Sequence, residues 1–294
     1  MFLATHGIIR NNVVGSSFLL DTYSGASAAY SLRKLSSSYS GSAIRVRRSF
    51  DNAEQNIGFD ISGNLDTTTL ISFIGNGTGI PGDGSTNGYV TTWYDQSGNG
   101  NNAIQTAASN QPNIVNTKVV NLQNSKPTLT LNGNYFMSFN IGATSNPLSI
   151  FTCASTSSTG SYRYEWALGT AGWSTAFSTY SSGYLNSNNS YFQWNGSSVL
   201  ADGVLTNNVF YLKTVLNLTG TTKHFFYKNN VPQIVDNYTT NITSNGVGYL
   251  FKDGSANNTQ LFAGNNSEMI FYKSDQTSNL NGINTNINSY YNIY

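Results

Sequence analysis

Apolar and polar residues alternate in short runs along most of this chain, and clusters of Gly, Asn, Ser and Thr interrupt the runs roughly every ten positions. In Ala43-Ile44-Arg45-Val46-Arg47-Arg48-Ser49 the period is two, which predicts a strand buried on one face with Ile44 and Val46 inward. Further strands are expected at 89–94, 128–131, 135–140, 148–154, 162–168, 174–179, 191–194, 209–217, 222–227, 231–235, 247–251, 259–264 and 268–273. Asn229-Asn230, between Phe225-Phe226-Tyr227 and Val231-Pro232-Gln233, predicts a two-residue hairpin turn.

Three segments depart from that period. Residues 26–35, Ala26 through Leu35, follow Ser24-Gly25 and predict a short helix covering one end of the molecule. The run from Asp66 to Gly75 spaces Leu70, Phe73 and Ile74 by three and four, which favours a second short helix over a strand. Near the end, Ser274 is expected to cap a helix that places Leu280, Ile283, Ile287, Tyr290 and Tyr291 on one side.

Composition agrees with this pattern. The 294 residues are 13% aromatic and only 9% charged, with 28 Gly, so an all-β sandwich or barrel with a helix at each end is expected, folded as one domain over 21–294. Residues 1–20 are apolar but aperiodic and read as an N-terminal arm. With 14 Lys plus Arg against 13 Asp plus Glu, no broad field draws nucleic acid or an anionic membrane. Cys153 is the only cysteine, which excludes an internal disulfide and a cysteine zinc site and suits a small buried residue. His6 and His224 have no partner at metal-ligand spacing. The first ten residues lack a basic start followed by an apolar run, so no secretory signal is expected there, and no stretch approaches the roughly 20 apolar residues of a spanning helix.

Several segments together resemble one family: Ala28-Ala29-Tyr30-Ser31-Leu32-Arg33; Ile44-Arg45-Val46-Arg47-Arg48; residues 51–60 from Asp51 to Asp60; Trp93-Tyr94-Asp95-Gln96-Ser97-Gly98-Asn99-Gly100-Asn101-Asn102-Ala103; and Tyr272-Lys273-Ser274-Asp275-Gln276 through Asn288-Ser289-Tyr290-Tyr291. They are similar to the arabinofuranosidase B-like, laminin-G or concanavalin A-like jelly roll. That family occurs as a fungal catalytic domain and in bacteriophage virion proteins and bacterial surface proteins. The opening Ala4-Thr5-His6-Gly7-Ile8-Ile9 also resembles the start of phage or prophage proteins. The resemblance covers nearly everything from Asp21 onward and implies a jelly-roll β-sandwich. Its motifs specify fold more than activity. In the stretch 93–103, Asp95 and Asn99 can serve as turn residues beside glycines of positive φ, or as the rim of a sugar site.

Hydrolysis by the enzymatic members would need two carboxyl groups about 5 Å apart, one protonated and one ionised. Where the resemblance implies a general-acid Asp, the chain reads Phe262-Ala263-Gly264-Asn265-Asn266-Ser267, and an amide stands in its place. The region implied for the nucleophile, Ala171 to Phe177, holds no carboxylate. The chain has three glutamates, Glu54, Glu165 and Glu268. Glu165, beside Arg163, reads as an exposed cross-strand ion pair in preference to a nucleophile.

These readings lead to the expectation of a non-catalytic bacteriophage virion structural protein on the particle surface: a capsid decoration, head fibre or tail-associated module. Its arm 1–20 would join other virion proteins, and its sandwich would adhere to host or mucus glycans. Candidate glycan contacts are Trp173, Tyr180, Tyr184 and Trp194, from an aromatic-rich stretch that otherwise supplies core, together with Asp95, Asn99 and Asn265. No catalytic residue, cofactor or metal is expected, although Asp60, Asp83 and Asp253 lie in loops that could offer calcium oxygen ligands. A homo-oligomer is open. The alternative function is a glycoside hydrolase acting on α-L-arabinofuranosides.

Overall fold

The computed structural model describes residues 18–75, 86–157, 163–169, 180–184, 189–194, 197–220, 224–236, 243–254 and 261–294; the side chains of 180–204, 224 and 234–236 lie outside the described set. Within it the chain forms a jelly-roll β-sandwich of antiparallel ladders. One sheet is organised about Ala263–Tyr272. One edge of this strand pairs with Leu148–Thr156, and the other is shared end to end by Ala28–Ser31 and Leu129–Asn132. Beyond Leu148–Thr156 follow Tyr211–Asn217, His224–Lys228 and Val231–Asp236. The facing sheet runs from Glu54–Ile57 through Ile44–Arg48, Gly88–Trp93, Ala103–Ile104, Met137–Asn140, Val247–Leu250 and Arg163–Leu168 to Tyr180–Tyr184, Asn189–Trp194 and Ser197–Val204. Asn113–Asn116 pairs with both Gly88–Trp93 and Leu129–Asn132, and so joins the two sheets along one side.

Two apolar clusters follow from the period-two patterns. The larger lies between the sheets and contains Tyr30, Ile44, Val46, Trp93, Phe139, Ile150, Trp166, Met269 and Phe271. The second lies outside the first sheet, where Phe151, Cys153, Leu212, Leu216, Ile270 and Tyr272 meet Leu19, Leu20, Leu280, Ile283, Ile287 and Tyr291. The strands of the first sheet are therefore apolar on both faces, and Leu148–Thr156 and Tyr211–Asn217 are buried at every residue. Phe18–Leu20, the described part of 1–20, leads into the helical turn Leu19–Thr22, whose Leu19 and Leu20 belong to this outer cluster.

Several expectations are met residue by residue. Ile44 and Val46 are fully buried. Helix Thr67–Ile74 begins at Asp66, whose side chain accepts from Thr69 N at 2.9 Å, and buries Leu70 and Ile74. Asn229 and Asn230 both take positive φ, 51° and 63°, as a tight primed turn between His224–Lys228 and Val231–Asp236 requires.

Others are corrected. Within the segment 26–35, expected to be helical, residues 28–31 form a strand in register with Phe271 to Glu268. Its consecutive residues alternate between the two clusters, Ala28 and Tyr30 inside and Ala29 outside, so continuous burial imitates helical spacing and ladder pairing decides the outcome. Helix Leu280–Tyr291 forms as expected, but Ser274 does not cap it. A 3-10 turn at Thr277–Asn279 intervenes, Asp275 accepts from Thr277 N at 2.8 Å, and the Ser274 carbonyl accepts from Ser149 Oγ. The strands expected at 259–264 and 268–273 are one, Ala263–Tyr272. The strand expected at 174–179 lies outside the described residues.

The packing encloses many phenols. Burial pushes the Tyr30 and Tyr291 hydroxyls well above their ordinary value and moves those of Tyr39 and Tyr290 up to about 12. An acid whose pKa is higher folded than unfolded contributes stability below its unfolded value, near 10 for tyrosine, and that stability is lost as pH rises further. Denaturant unfolding monitored by fluorescence should therefore show no tyrosine-linked loss up to about pH 9.5 and a steep decline between about pH 10 and 12. A flat profile through pH 12 would contradict this assignment.

Candidate functional site

The stretch 93–103 closes one end of the Ala28–Ser31 strand. Asp95 Oδ1 accepts from Ala29 N and Ser97 N, both at 2.8 Å, while Oδ2 accepts from Ser97 Oγ at 2.7 Å and Asn101 N at 3.0 Å. Gln96, unremarked in the sequence, accepts from Leu35 N and donates to the Ser31 and Arg33 carbonyls. Asn99 donates to the Ala26 and Ser27 carbonyls. Gly98 and Gly100 supply φ of 91° and 75°. These side chains thus take the place of a neighbouring strand for residues 26–35, and the buried Asp95 carboxylate already has four protein donors.

Two buried glutamates belong to different environments. Glu268 lies under helix Leu280–Tyr291, where it accepts from Arg33 Nε at 2.8 Å, Arg33 Nη2 at 3.0 Å, Ser31 Oγ at 2.7 Å and Tyr291 OH at 3.2 Å. Burial works against the Arg33 charge, but Glu268 beside it prevails and raises the guanidinium above its ordinary value. Glu165 lies between the sheets, and here the expectation of an exposed pair with Arg163 is corrected. Glu165 is 0% exposed and forms an ion pair with the equally buried Lys213, while Arg163 Nη1 donates to the Leu261 carbonyl at 2.8 Å. The register of Arg163–Leu168 against Tyr180–Tyr184 shifts between Tyr164 and Trp166, and this bulge breaks the alternation that would have turned residue 165 outward. Burial lowers Lys213 well below the usual lysine range.

A polar chain extends from Glu165. Thr152 Oγ1 donates to Glu165 Oε2 at 3.3 Å, and Asn266 Nδ2 donates to Thr152 Oγ1 at 3.2 Å. The Asn266 side-chain oxygen has no partner among the described residues. Phe251 N donates to the Glu165 carbonyl at 2.7 Å, and the backbone turns there at a φ of 70°. Two residues further on, Asp253 is 3% exposed and its Oδ1 has no partner among the described residues. Its neighbour Lys252 lies over the rings of Tyr249 and Phe136, at 4.4 and 4.9 Å, and burial lowers its pKa against the opposing pull of Asp253.

The remaining sequence candidates are dispersed. Asn265 accepts from Thr130 Oγ1 and donates to Gln123 Oε1, both at 3.0 Å. Tyr180, Tyr184 and Trp194 fall on strands, with side chains outside the described residues, and Trp173, Asp83 and His6 lie wholly outside them. The Asp60 carboxylate accepts from Ser62 N and Asn64 N, which makes a local turn. Cys153 is buried, and burial together with nearby Glu268 pushes its thiol well up. Among the described residues, no group of three or more His, Cys, Asp or Glu could hold a metal ion.

No family model matches the chain, and no curated protein does. Solved structures do. A GH54 α-L-arabinofuranosidase soaked with a cyclic sulfate inhibitor matches at 15% identity and a TM-score of 0.68, and an arabinofuranosidase complexed with arabinofuranosyl-α-1,2-xylobiose matches at 16% and 0.66. Each alignment covers 92% of this chain and 64% of the other, so the chain spans somewhat less than two thirds of the length of those enzymes. At that identity the likeness establishes the fold. It also corrects the expectation of a non-catalytic virion structural protein, because the sandwich that suggested a particle component is matched over 92% of the chain by glycoside hydrolases. Nor does the amide at 265 demonstrate a loss of catalysis, since buried carboxyl groups stand elsewhere in the sandwich.

The two saturated carboxylates should behave as structural anchors. Replacing Glu268 by Ala leaves Arg33 buried and uncompensated and should cost about 3–5 kcal/mol, with the Arg33→Ala/Glu268→Ala double variant losing less than the sum of the singles. Asp95→Ala abandons four donors and should cost about 3 kcal/mol. Denaturant titration of the variants measures both, and additivity of Arg33→Ala with Glu268→Ala would show the pair to be uncoupled.

Proposed function

We propose that this chain is a glycoside hydrolase acting on α-L-arabinofuranosides. The observation that carries the reading is the match of 92% of the chain, at a TM-score of 0.68, to a GH54 α-L-arabinofuranosidase soaked with a cyclic sulfate inhibitor and, equally, to a mutant GH54 α-L-arabinofuranosidase soaked with 4-nitrophenyl α-L-arabinofuranoside.

The chemistry of a retaining enzyme narrows the choice of residues. It needs an ionised carboxylate as nucleophile and a second carboxyl that protonates the leaving oxygen, about 5 Å away. Asp95 and Glu268 each have four protein donors already, and Glu54 and Asp51 form surface pairs with Arg45 and Arg48. Among the described side chains the other buried carboxyl groups are Glu165 and Asp253, and a backbone hydrogen bond from Phe251 N to the Glu165 carbonyl links the segments that carry them. Glu165, in its ion pair with Lys213, takes the role of nucleophile. Asp253, with an oxygen that has no partner among the described residues, takes the role of proton donor to the leaving group. Both are enclosed, so substrate must open a path to them, and substitution tests that requirement directly.

Purified protein should release nitrophenol from 4-nitrophenyl α-L-arabinofuranoside. Asp253→Asn and Glu165→Gln should each lower kcat by at least about 100-fold. Asp253→Asn should also keep the far-ultraviolet circular dichroism of the parent. Absence of turnover by the parent protein on arabinofuranosides would sink the reading, and full activity in both variants would remove these residues from it.

A further inference from the structure

A cleft of about 350 Å³ opens where the segment 20–26, the segment 36–41 and the loop after Asp95 come together. No residue lining it carries a charge, and its walls are rich in hydroxyls: Ser24, Ser36, Ser38, Tyr39, Ser40 and Ser97. Some of these are held by the fold. Ser36 Oγ donates to Asp21, Ser97 Oγ donates to Asp95, and Tyr39 OH donates to the Ser42 carbonyl at 2.8 Å. The rim is different, because the Ser24 and Ser40 hydroxyls have no partner among the described residues.

The cleft is preformed. The three hydrogen bonds of the Gln96 side chain fix its floor, and the Tyr39 ring is set edge-on to Phe59 at 6.4 Å. A Cβ placed on Gly25 or Gly98 would meet nothing within 4 Å, so the space beside these two residues is open. Exposed hydroxyls at the mouth, fixed hydroxyls within, one flat ring and no charge together suit a ligand that is neutral and carries many hydroxyls itself. The volume lies near the lower limit of about 300 Å³ for ligand sites, enough for a single sugar ring or the end of a glycan chain.

We propose that this cleft is a binding subsite for one neutral sugar residue. It is lined by neither Glu165 nor Asp253, and so is distinct from the carboxyl groups assigned above to hydrolysis.

Saturation-transfer NMR on the full chain, with L-arabinose, D-xylose, D-galactose and N-acetylneuraminic acid as probes, tests the proposal. At least one of the three neutral sugars should bind, and the anionic one should not. Ser40→Trp fills the mouth from an exposed position and should weaken binding at least about tenfold, while Ser24→Ala/Ser40→Ala should weaken it less. Hydrolysis of the chromogenic arabinofuranoside should be unchanged in both variants. Failure of all neutral probes, preference for the anionic sugar, or binding that survives Ser40→Trp would each overturn the subsite. Binding without turnover by the parent protein would leave the subsite standing and remove only the hydrolase reading.

Discussion

The buried clamp between Glu268 and Arg33 is the contact on which the three layers of this protein converge. Glu268 belongs to the strand Ala263–Tyr272, which has hydrogen-bonded neighbours on both edges and apolar packing on both faces. Arg33 follows the strand on one edge, and Tyr291 comes down from the covering helix to the same carboxylate. A charge in such a place is tolerable only when every lone pair is met, and here the two guanidinium nitrogens and two hydroxyls meet them. Tyr290 extends the arrangement toward solvent, with Arg33 on its ring at 4.9 Å and Lys126 at 4.2 Å. The docking of the C-terminal helix, the register of the first strand and the position of the central strand are therefore one linked choice.

The interior between the sheets is organised differently. Glu165 and Lys213 satisfy one another, but the chain of polar groups that leads from them ends at an Asn266 oxygen with no partner among the described residues. Asp253, nearby along the backbone, is in the same condition. Buried polar atoms left without a partner carry a free-energy cost. The oxygen of Asp253 without a partner among the described residues sets it apart from Asp95 and Glu268, whose carboxylates each have four protein donors, in a fold shared with arabinofuranosidases.

Much of the architecture was legible because a strand that buries one face leaves a period-two record, as at Ile44 and Val46, and because Asn-Asn in a primed turn has a direct backbone reason. The strand Ala28–Ser31 was not legible: it is buried on both faces, so apolar residues occur at every position and the period disappears. Helix and buried strand then look alike. The environment of Glu165 was hidden for another reason. It depends on a bulge, which is an event of register between two strands, and Lys213 arrives from a part of the chain 48 positions away. Asp95 and Asn99 were readable as turn formers from their glycines, whereas Gln96 gave no sign that its amide would serve three backbone groups. The open state of Asp253 exists only in the packed structure, and no local pattern encodes it.

The short strand Asn113–Asn116 carries a consequence for how the molecule meets its own copies. By giving hydrogen bonds to a strand of each sheet it turns the corner between them, and that flank presents no continuous row of idle amides and carbonyls. A second molecule cannot extend the sandwich there by adding a strand. Any self-association through this flank has to be made by side chains, where Asn116 and Thr117 stand beside the exposed Val119 of the strand that pairs with Asn113–Asn116.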